Sequence, residues 1–267
     1  MNIQGKTALV TGASRGIGRA IALEFAAQGA SRLLLVARDR QRLAEVAAEI
    51  HALGVDAIAL PLDLSQPVDV SIAIAQVWRD HGPIHYLVNC AGVAHQATFL
   101  ESRLPQVQEE IAINLIGMYT ITRLVARRMV AQKAGTIINV SSLMGKLAAP
   151  TMSTYSATKF AILGFTQALR GELAAHNIRV VALLPSLTDT DMVRDLHWFR
   201  WVVPMTSQSV AEALIRGLNR DTPEILVGWQ SQLAIWGNRI APGVLEKLLL
   251  WAAPLPKPTP KTYPAMH

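Results

Sequence analysis

A chain of 267 residues that is 51% hydrophobic can bury one large core, and its single cysteine excludes an internal disulfide and points to a reducing, cytoplasmic setting. Its 25 basic against 19 acidic side chains leave a charge of +6, but the basic residues are scattered and no nucleic-acid motif accompanies them, so no nucleic-acid partner is expected. No charged leader precedes an apolar stretch and cleavage site, and no apolar run reaches the roughly eighteen residues a bilayer span needs, so neither a signal peptide nor a spanning helix is expected.

In chain order, Lys6-Thr7-Ala8-Leu9-Val10 reads as a short buried strand, Thr7 to Thr11, and Arg19 to Gln28 as an amphipathic helix. Between them lies Gly12-Ala13-Ser14-Arg15-Gly16-Ile17-Gly18. Glycines at a strand-to-helix turn let the backbone approach a pyrophosphate seated at the positive helix end. The spacing is Gly-x-x-x-Gly-x-Gly rather than the general dinucleotide fingerprint Gly-x-Gly-x-x-Gly. Further strands are expected at Arg32–Ala37, Asp56–Pro61, Tyr86–Asn89, Thr136–Ser141, Arg179–Leu184 and Ile225–Val227. Helical patterns lie between them, including Leu104–Lys133 and Thr154–His176. This alternation predicts an α/β fold: a Rossmann-like, doubly wound, mostly parallel seven-stranded sheet with helices on both faces. Residues 1–253 read as one domain, and 254–267 as a proline-rich extended tail.

The chemistry-bearing pattern is Tyr155-x-x-x-Lys159, with Ser142 thirteen residues upstream of the tyrosine. Residues four apart share a helix face, so the phenol and the ammonium project together. A neighbouring ammonium is expected to lower the phenol pKa and make it a usable proton donor or acceptor. At the end of the second strand, an acid would hydrogen-bond the ribose of NAD and repel a 2′-phosphate. Here Ala37 occupies that place, Arg38 follows it, and Arg15 supplies a second guanidinium, which favours NADP(H). Asp39 stays open as a ribose acid displaced by one or two positions, and Arg40 and Arg42 read as the solvated start of a helix. The seven histidines show no metal-ligand spacing, so no metal is expected. Cys90 reads as a buried small hydrophobe.

Taken together, these residues closely resemble the short-chain dehydrogenase/reductase family over roughly residues 3 to 195. Thr11 to Gly18 matches the family's cofactor motif, which implies cofactor contacts for Gly12, Ser14, Arg15, Gly16, Ile17 and Gly18. Asn89-Cys90-Ala91-Gly92 matches the Asn-Asn-Ala-Gly motif except at Cys90, implying the same for Asn89, Ala91 and Gly92. Asp63 and Leu64 fall where the family contacts adenine, although Asp63 also suits a turn or helix cap. Pro185 matches the proline of the Pro-Gly motif, with Ser186 replacing glycine, and Thr190 matches the threonine that meets the nicotinamide carboxamide.

Asn114, Ser142, Tyr155 and Lys159 fall on the family's catalytic tetrad. The resemblance implies that Tyr155 protonates a carbonyl oxygen as hydride arrives at carbon. Lys159 would lower the tyrosine pKa and hold the nicotinamide ribose. Ser142, preferred over Ser141 on spacing, would bind the developing alkoxide, and Asn114 would hold a water linking Lys159 to solvent. A substrate lid at 186–206, rich in apolar residues from Met192 and Val193 through Leu196, Trp198, Phe199, Trp201, Val202, Val203 and Met205, favours a lipophilic carbonyl, such as a 3-oxoacyl thioester, ketone or aldehyde. The apolar segment within 228–253 reads either as subunit packing or extra core, or as an interfacial helix (residues 229–251) in peripheral contact with a membrane, and Pro242-Gly243 should break it. A homodimer or homotetramer is expected. Oxidation of a lipophilic secondary alcohol, steroid- or retinoid-type, and a non-catalytic NADP(H)-binding regulator stand as alternatives.

Overall fold

The computed structural model describes residues 2–194, 196–197, 199–200 and 202–254, so Trp198 and Trp201 of the expected lid, and the tail beyond Pro254, lie outside the described residues. Strand β1 (Thr7–Thr11) runs into α1 (Gly16–Ala27), followed by β2 (Arg32–Ala37), α2 (Arg40–Ala52), β3 (Asp56–Pro61), α3 (Pro67–His81) and β4 (Tyr86–Asn89). The second half adds α4 (Leu104–Ile111), a π-helical stretch Ala112–Gly117, α5 (Met118–Gln132), β5 (Gly135–Val140) and α6 (Ser153–Ala174). Then come β6 (Ile178–Leu184), α7 (Ser207–Asn219), β7 (Glu224–Leu226), α8 (Trp229–Ile240) and α9 (Pro242–Ala252). The strands form one seven-stranded sheet, ordered β3-β2-β1-β4-β5-β6-β7, with every pair parallel.

Parallel strands require crossover helices, and alternate strand residues feed a core on each side. Ala8 and Val10 of β1 with Leu33 and Leu35 of β2 pack against Ile21 and Phe25 of α1, Leu43 of α2 and Leu214 of α7. Leu9, Leu34 and Val36 point the other way, onto Val70 and Ile74 of α3 and Ile121 and Val125 of α5. Strand order reverses between β1 and β4, and a crevice at such a switch point is where ligands bind in open α/β sheets.

The expected helix Leu104–Lys133 is interrupted rather than regular. Its ladder widens over Ala112–Gly117, around Asn114, and π turns of this kind cluster at functional sites. Strands β5 and β6 begin one residue earlier than expected, and β7 is Glu224–Leu226 instead of Ile225–Val227. Helix α1 begins at Gly16 rather than Arg19, inside the glycine motif itself. The break at Pro242 is present: Ala241 is extended (φ −140°), and α9 starts on the proline. A bridge between Thr188 and Met205 closes the base of the lid segment.

Candidate active site

The carboxyl ends of β1, β2 and β4 border a cleft of about 370 Å³. Thr11, buried at the end of β1, joins two of its walls, because its hydroxyl accepts from the amides of Cys90 and Ala91 at 3.0 Å each. Gly12 is left-handed (φ +69°), and a Cβ there would lie 2.9 Å from the Ala91 backbone. A Cβ at Gly18 would come within 2.2 Å of the Gly12 carbonyl oxygen, so only glycine lets α1 pack this near the strand. Arg15 precedes α1 without a side-chain cap, and the first turn contains no acid, which leaves the positive helix end facing the cleft. These features fit a dinucleotide pyrophosphate.

Of the expected cofactor residues, Gly12, Ser14, Arg15, Gly16, Ile17, Gly18, Arg38, Asp63, Leu64, Ala91, Gly92, Tyr155, Lys159 and Thr190 all line this cleft. Two do not. Asn89 is buried behind the wall, donating to Thr122 Oγ1 and Asn139 Oδ1, both at 2.8 Å, so it joins β4 to α5 and β5. Its neighbours Cys90, Ala91 and Gly92 take the lining position instead, because side chains alternate across a strand end. Pro185 borders the adjoining apolar cavity, and its carbonyl accepts from Leu143 N at 2.8 Å.

One end of the cleft is strongly basic. Arg15, Arg38 and Arg42 all border it, which promotes Arg42 from the solvated surface expected of it to a site residue. Asp39 also lines the cleft, but not as a free acid. Its Oδ1 accepts from Arg42 N at 3.1 Å and caps α2, which weakens its claim as a ribose ligand. Asp191 of the lid reaches across to Arg42 at 2.8 Å and Arg15 at 3.4 Å, and these guanidinium groups hold its carboxyl below the usual range. No local spacing announces the crossing from Arg42 to Asp191, which spans 149 positions. Asp63 lines the cleft and also holds Ser65 N at 2.9 Å, so the contact and turn readings coexist in one side chain.

Deeper in, β5 ends at Val140 and α6 brings Tyr155 and Lys159 alongside. The Lys159 ammonium donates to Val140 O at 3.0 Å and lies 5.4 Å from the Tyr155 ring centroid. Ser142 stands close enough to the phenol to act on its protonation, and its Oγ accepts from Met144 N at 3.1 Å. Ser141 is spent on structure, donating to Lys159 O at 2.8 Å, which supports Ser142 as the polar partner.

The expected lowering of the phenol by Lys159 is not what the protein delivers. Burial dominates, pushing Tyr155 up to about 12, and the nearby Ser142 hydroxyl is what acts downward. The same desolvation pushes Lys159 down to about 8. Burial likewise raises the Cys90 thiol to about 12, which leaves it inert.

Asn114 is fully buried under this centre. Its amide exchanges hydrogen bonds with Val93, accepting at 2.8 Å and donating at 2.9 Å, and donates to Thr158 Oγ1 at 3.3 Å. Glu110, one helical turn earlier, accepts from His95 N, keeps its other oxygen without a protein partner and is raised by burial. The two side chains pin the 93–95 backbone beside the site. Glu110 was not legible in Gln108-Glu109-Glu110, a run that reads as solvated helix.

On the far side of Tyr155 a second cavity of about 280 Å³ opens. Ser142 and Tyr155 are among its polar lining residues, and Leu143, Met152, Leu187, Val193, Phe199 and Val202 are among the apolar ones. Tyr155, Ser141, Thr190 and Met192 border both spaces, so the phenol stands where they meet. Among the described residues no cluster of side chains suits a metal ion.

Residues 6–199 match the family model of short chain dehydrogenases. The chain is 36% identical to the 3-oxoacyl-[acyl-carrier-protein] reductase of Synechocystis sp. over 73% of its length and 79% of that protein. It is 31% identical to the ketoacyl reductase HetN of Nostoc sp. over 93% of its length and 90% of that protein. Its fold superposes with a TM-score of 0.82 on a short chain dehydrogenase from Burkholderia cenocepacia crystallised with NADP, at 27% identity, covering 94% of this chain and 99% of that one.

Proposed function

Because the chain belongs to the short chain dehydrogenase family, we propose that it is an NADP(H)-dependent oxidoreductase that reduces a lipophilic carbonyl, such as a 3-oxoacyl thioester, ketone or aldehyde. The observation that carries this reading is the meeting of a basic, glycine-lined cleft and an apolar cavity at one phenol, Tyr155. The similarity to 3-oxoacyl and ketoacyl reductases and to an NADP-bound dehydrogenase supports the same chemistry.

The nicotinamide cofactor supplies the hydride. Gly12, Gly16 and Gly18 would hold the pyrophosphate, Arg15, Arg38 and Arg42 the 2′-phosphate, Asp63 and Leu64 the adenine, and Thr190 the carboxamide. Tyr155 donates its proton to the substrate oxygen, and Ser142 steadies the charge that develops there, where a fixed donor in a dry site is most effective. Lys159, whose ammonium lies 5.4 Å from the Tyr155 ring centroid, would when charged hold the cofactor ribose beside the phenol. Asn114 keeps the 93 backbone and Thr158 in place beneath Lys159, and a water held there would resupply the proton. A phenol near 12 stays protonated throughout the working range, so the reductive direction needs no further activation to have its acid ready.

A pH dependence follows. Lys159 is charged below about 8 and neutral above it. The kcat/KM for reduction should therefore be flat at lower pH and fall as pH rises through about 8, about tenfold for each further pH unit. A profile that stays flat well beyond that region would remove the charged lysine from the mechanism.

The apolar cavity sets the second test. Across 3-oxoacyl thioesters of increasing chain length, kcat/KM should climb as each added methylene is buried, by about fourfold per group at ~0.8 kcal/mol. Preference for the shortest or for polyhydroxylated carbonyls would contradict the lipophilic reading. The same residues run the oxidation of a secondary alcohol, so direction follows cofactor poise. A non-catalytic regulator fits less well, since Asn114, Ser142, Tyr155 and Lys159 are all present and grouped.

We further propose pairing of subunits through the α4–α5 and α6 faces, where Ile116, Tyr119 and Phe160 stand exposed. Cys90 as a free thiol suits a cytoplasmic setting, and no helix among the described residues is long and apolar enough to cross a membrane.

A further inference from the structure

Helices α8 and α9 pack against each other after β7, and each turns one face to the substrate cavity and a second, apolar face outward. Gln230, Ala234, Leu249 and Ala252 face inward and wall the cavity next to Tyr155. The outward side is built from Trp229, Leu233, Trp236 and Ile240 of α8, spaced four, three and four apart, so they share one face. Val244, Leu248 and Trp251 repeat this spacing along α9. All stand at least half exposed, and Trp236 is 68% and Ile240 72% exposed. Monomeric proteins rarely display so continuous an apolar face without a partner for it.

We propose that this outer face seats on an anionic lipid surface, with α8 and α9 lying in the interface plane, and that lipophilic substrate passes from the lipid into the cavity they wall. This rests on the reading of that cavity as a lipophilic-carbonyl site. At 12 and 11 residues, both helices are too short to span a bilayer, which takes about 20, and the break at Ala241–Pro242 folds them back side by side. Exposed Trp229 and Trp236 suit the headgroup boundary, where an apolar ring and a polar N–H are both satisfied. Arg239 and Lys247 are exposed on these helices against one acid, Glu246, on a chain of net charge +6, which sets the sign of the favoured lipid. A second copy is the rival occupant. The smaller apolar face containing Ile116, Tyr119 and Phe160 offers subunit pairing a separate place, whereas only the α8–α9 face backs directly onto the substrate cavity.

The test is flotation of the full chain with phosphatidylcholine vesicles with and without phosphatidylglycerol, alongside the double variant Leu233→Glu/Trp236→Glu, neither residue lining the cavity. The wild-type chain should float, more strongly with the anionic lipid, and the variant should partition about tenfold or more weakly. Variant turnover of a water-soluble acetoacetyl ester should be unchanged, while turnover of a vesicle-embedded ketone should fall with binding. Leu248→Glu, on the neighbouring helix, should repeat the effect and guards against misfolding of the first variant. Absence of flotation by the wild-type chain overturns the proposal. So does a variant that floats normally, or one that fails to float only because a dimer has split, as size-exclusion chromatography would show. Vesicle binding by a chain that reduces no carbonyl upholds the docking and overturns the assigned reaction alone.

Discussion

Tyr155→Phe is expected to lower kcat for carbonyl reduction by about 10²–10⁴ while leaving NADPH affinity within about twofold of wild type. The separation is the point of the experiment. Tyr155 borders the apolar cavity together with Ser142, whereas Arg38 and Arg42 line the cleft alone. Removing one oxygen should abolish proton donation without disturbing Arg15, Arg38 or Arg42. Steady-state turnover, paired with cofactor titration by nicotinamide fluorescence, reads both quantities on one sample. Wild-type turnover in the variant would remove Tyr155 as the acid, and equal loss of cofactor binding would recast it as structural.

The second large effect concerns cofactor choice. Arg42→Ala should raise the KM for NADPH about tenfold to a hundredfold and leave the KM for NADH nearly unchanged, as expected for losing a charge-assisted contact of about 1.5–3 kcal/mol to a phosphate. Arg38→Asp should go further and shift preference toward NADH, since it also adds the acid that favours unphosphorylated ribose. Both guanidinium groups now rest on acids, Arg42 on Asp191 and Arg38 on Glu109, at exposed positions where such pairs contribute little and yield readily to a stronger anion. Unchanged NADPH selectivity in both variants would take the 2′-phosphate away from this end of the cleft.

Much of this was legible in the sequence because it depends on local rules. Buried parallel strands read as apolar runs, and glycines at a strand-to-helix turn announce a close backbone approach, so the sheet and the cleft followed from β1 and Gly12–Gly18. Tyr155 and Lys159 were visible because four-residue spacing on a helix is itself a geometric statement. What escaped depends on contacts between distant segments. Arg42 looked like a solvated helix start until the fold set it beside Arg15 and brought Asp191 over both. Asn89 matched a cofactor motif, yet it is buried behind the wall, where its amide nitrogen donates to Thr122 and Asn139 on other elements. The lysine effect on Tyr155 was misjudged for a similar reason: adjacency is readable in sequence, whereas the burial that outweighs it here is not.

Hydride is expected to reach a carbonyl carbon beside Tyr155. The most direct measurement uses NADPH deuterated at its transferring carbon, a hydrophobic 3-oxoacyl thioester, and mass analysis of the product. Deuterium on the new carbinol carbon, matched one for one with cofactor consumed and lost in Tyr155→Phe, is the predicted result. Tight NADPH binding with no deuterium in any alcohol, across thioesters, ketones and aldehydes, would contradict the claim and leave a nucleotide-binding regulator in its place.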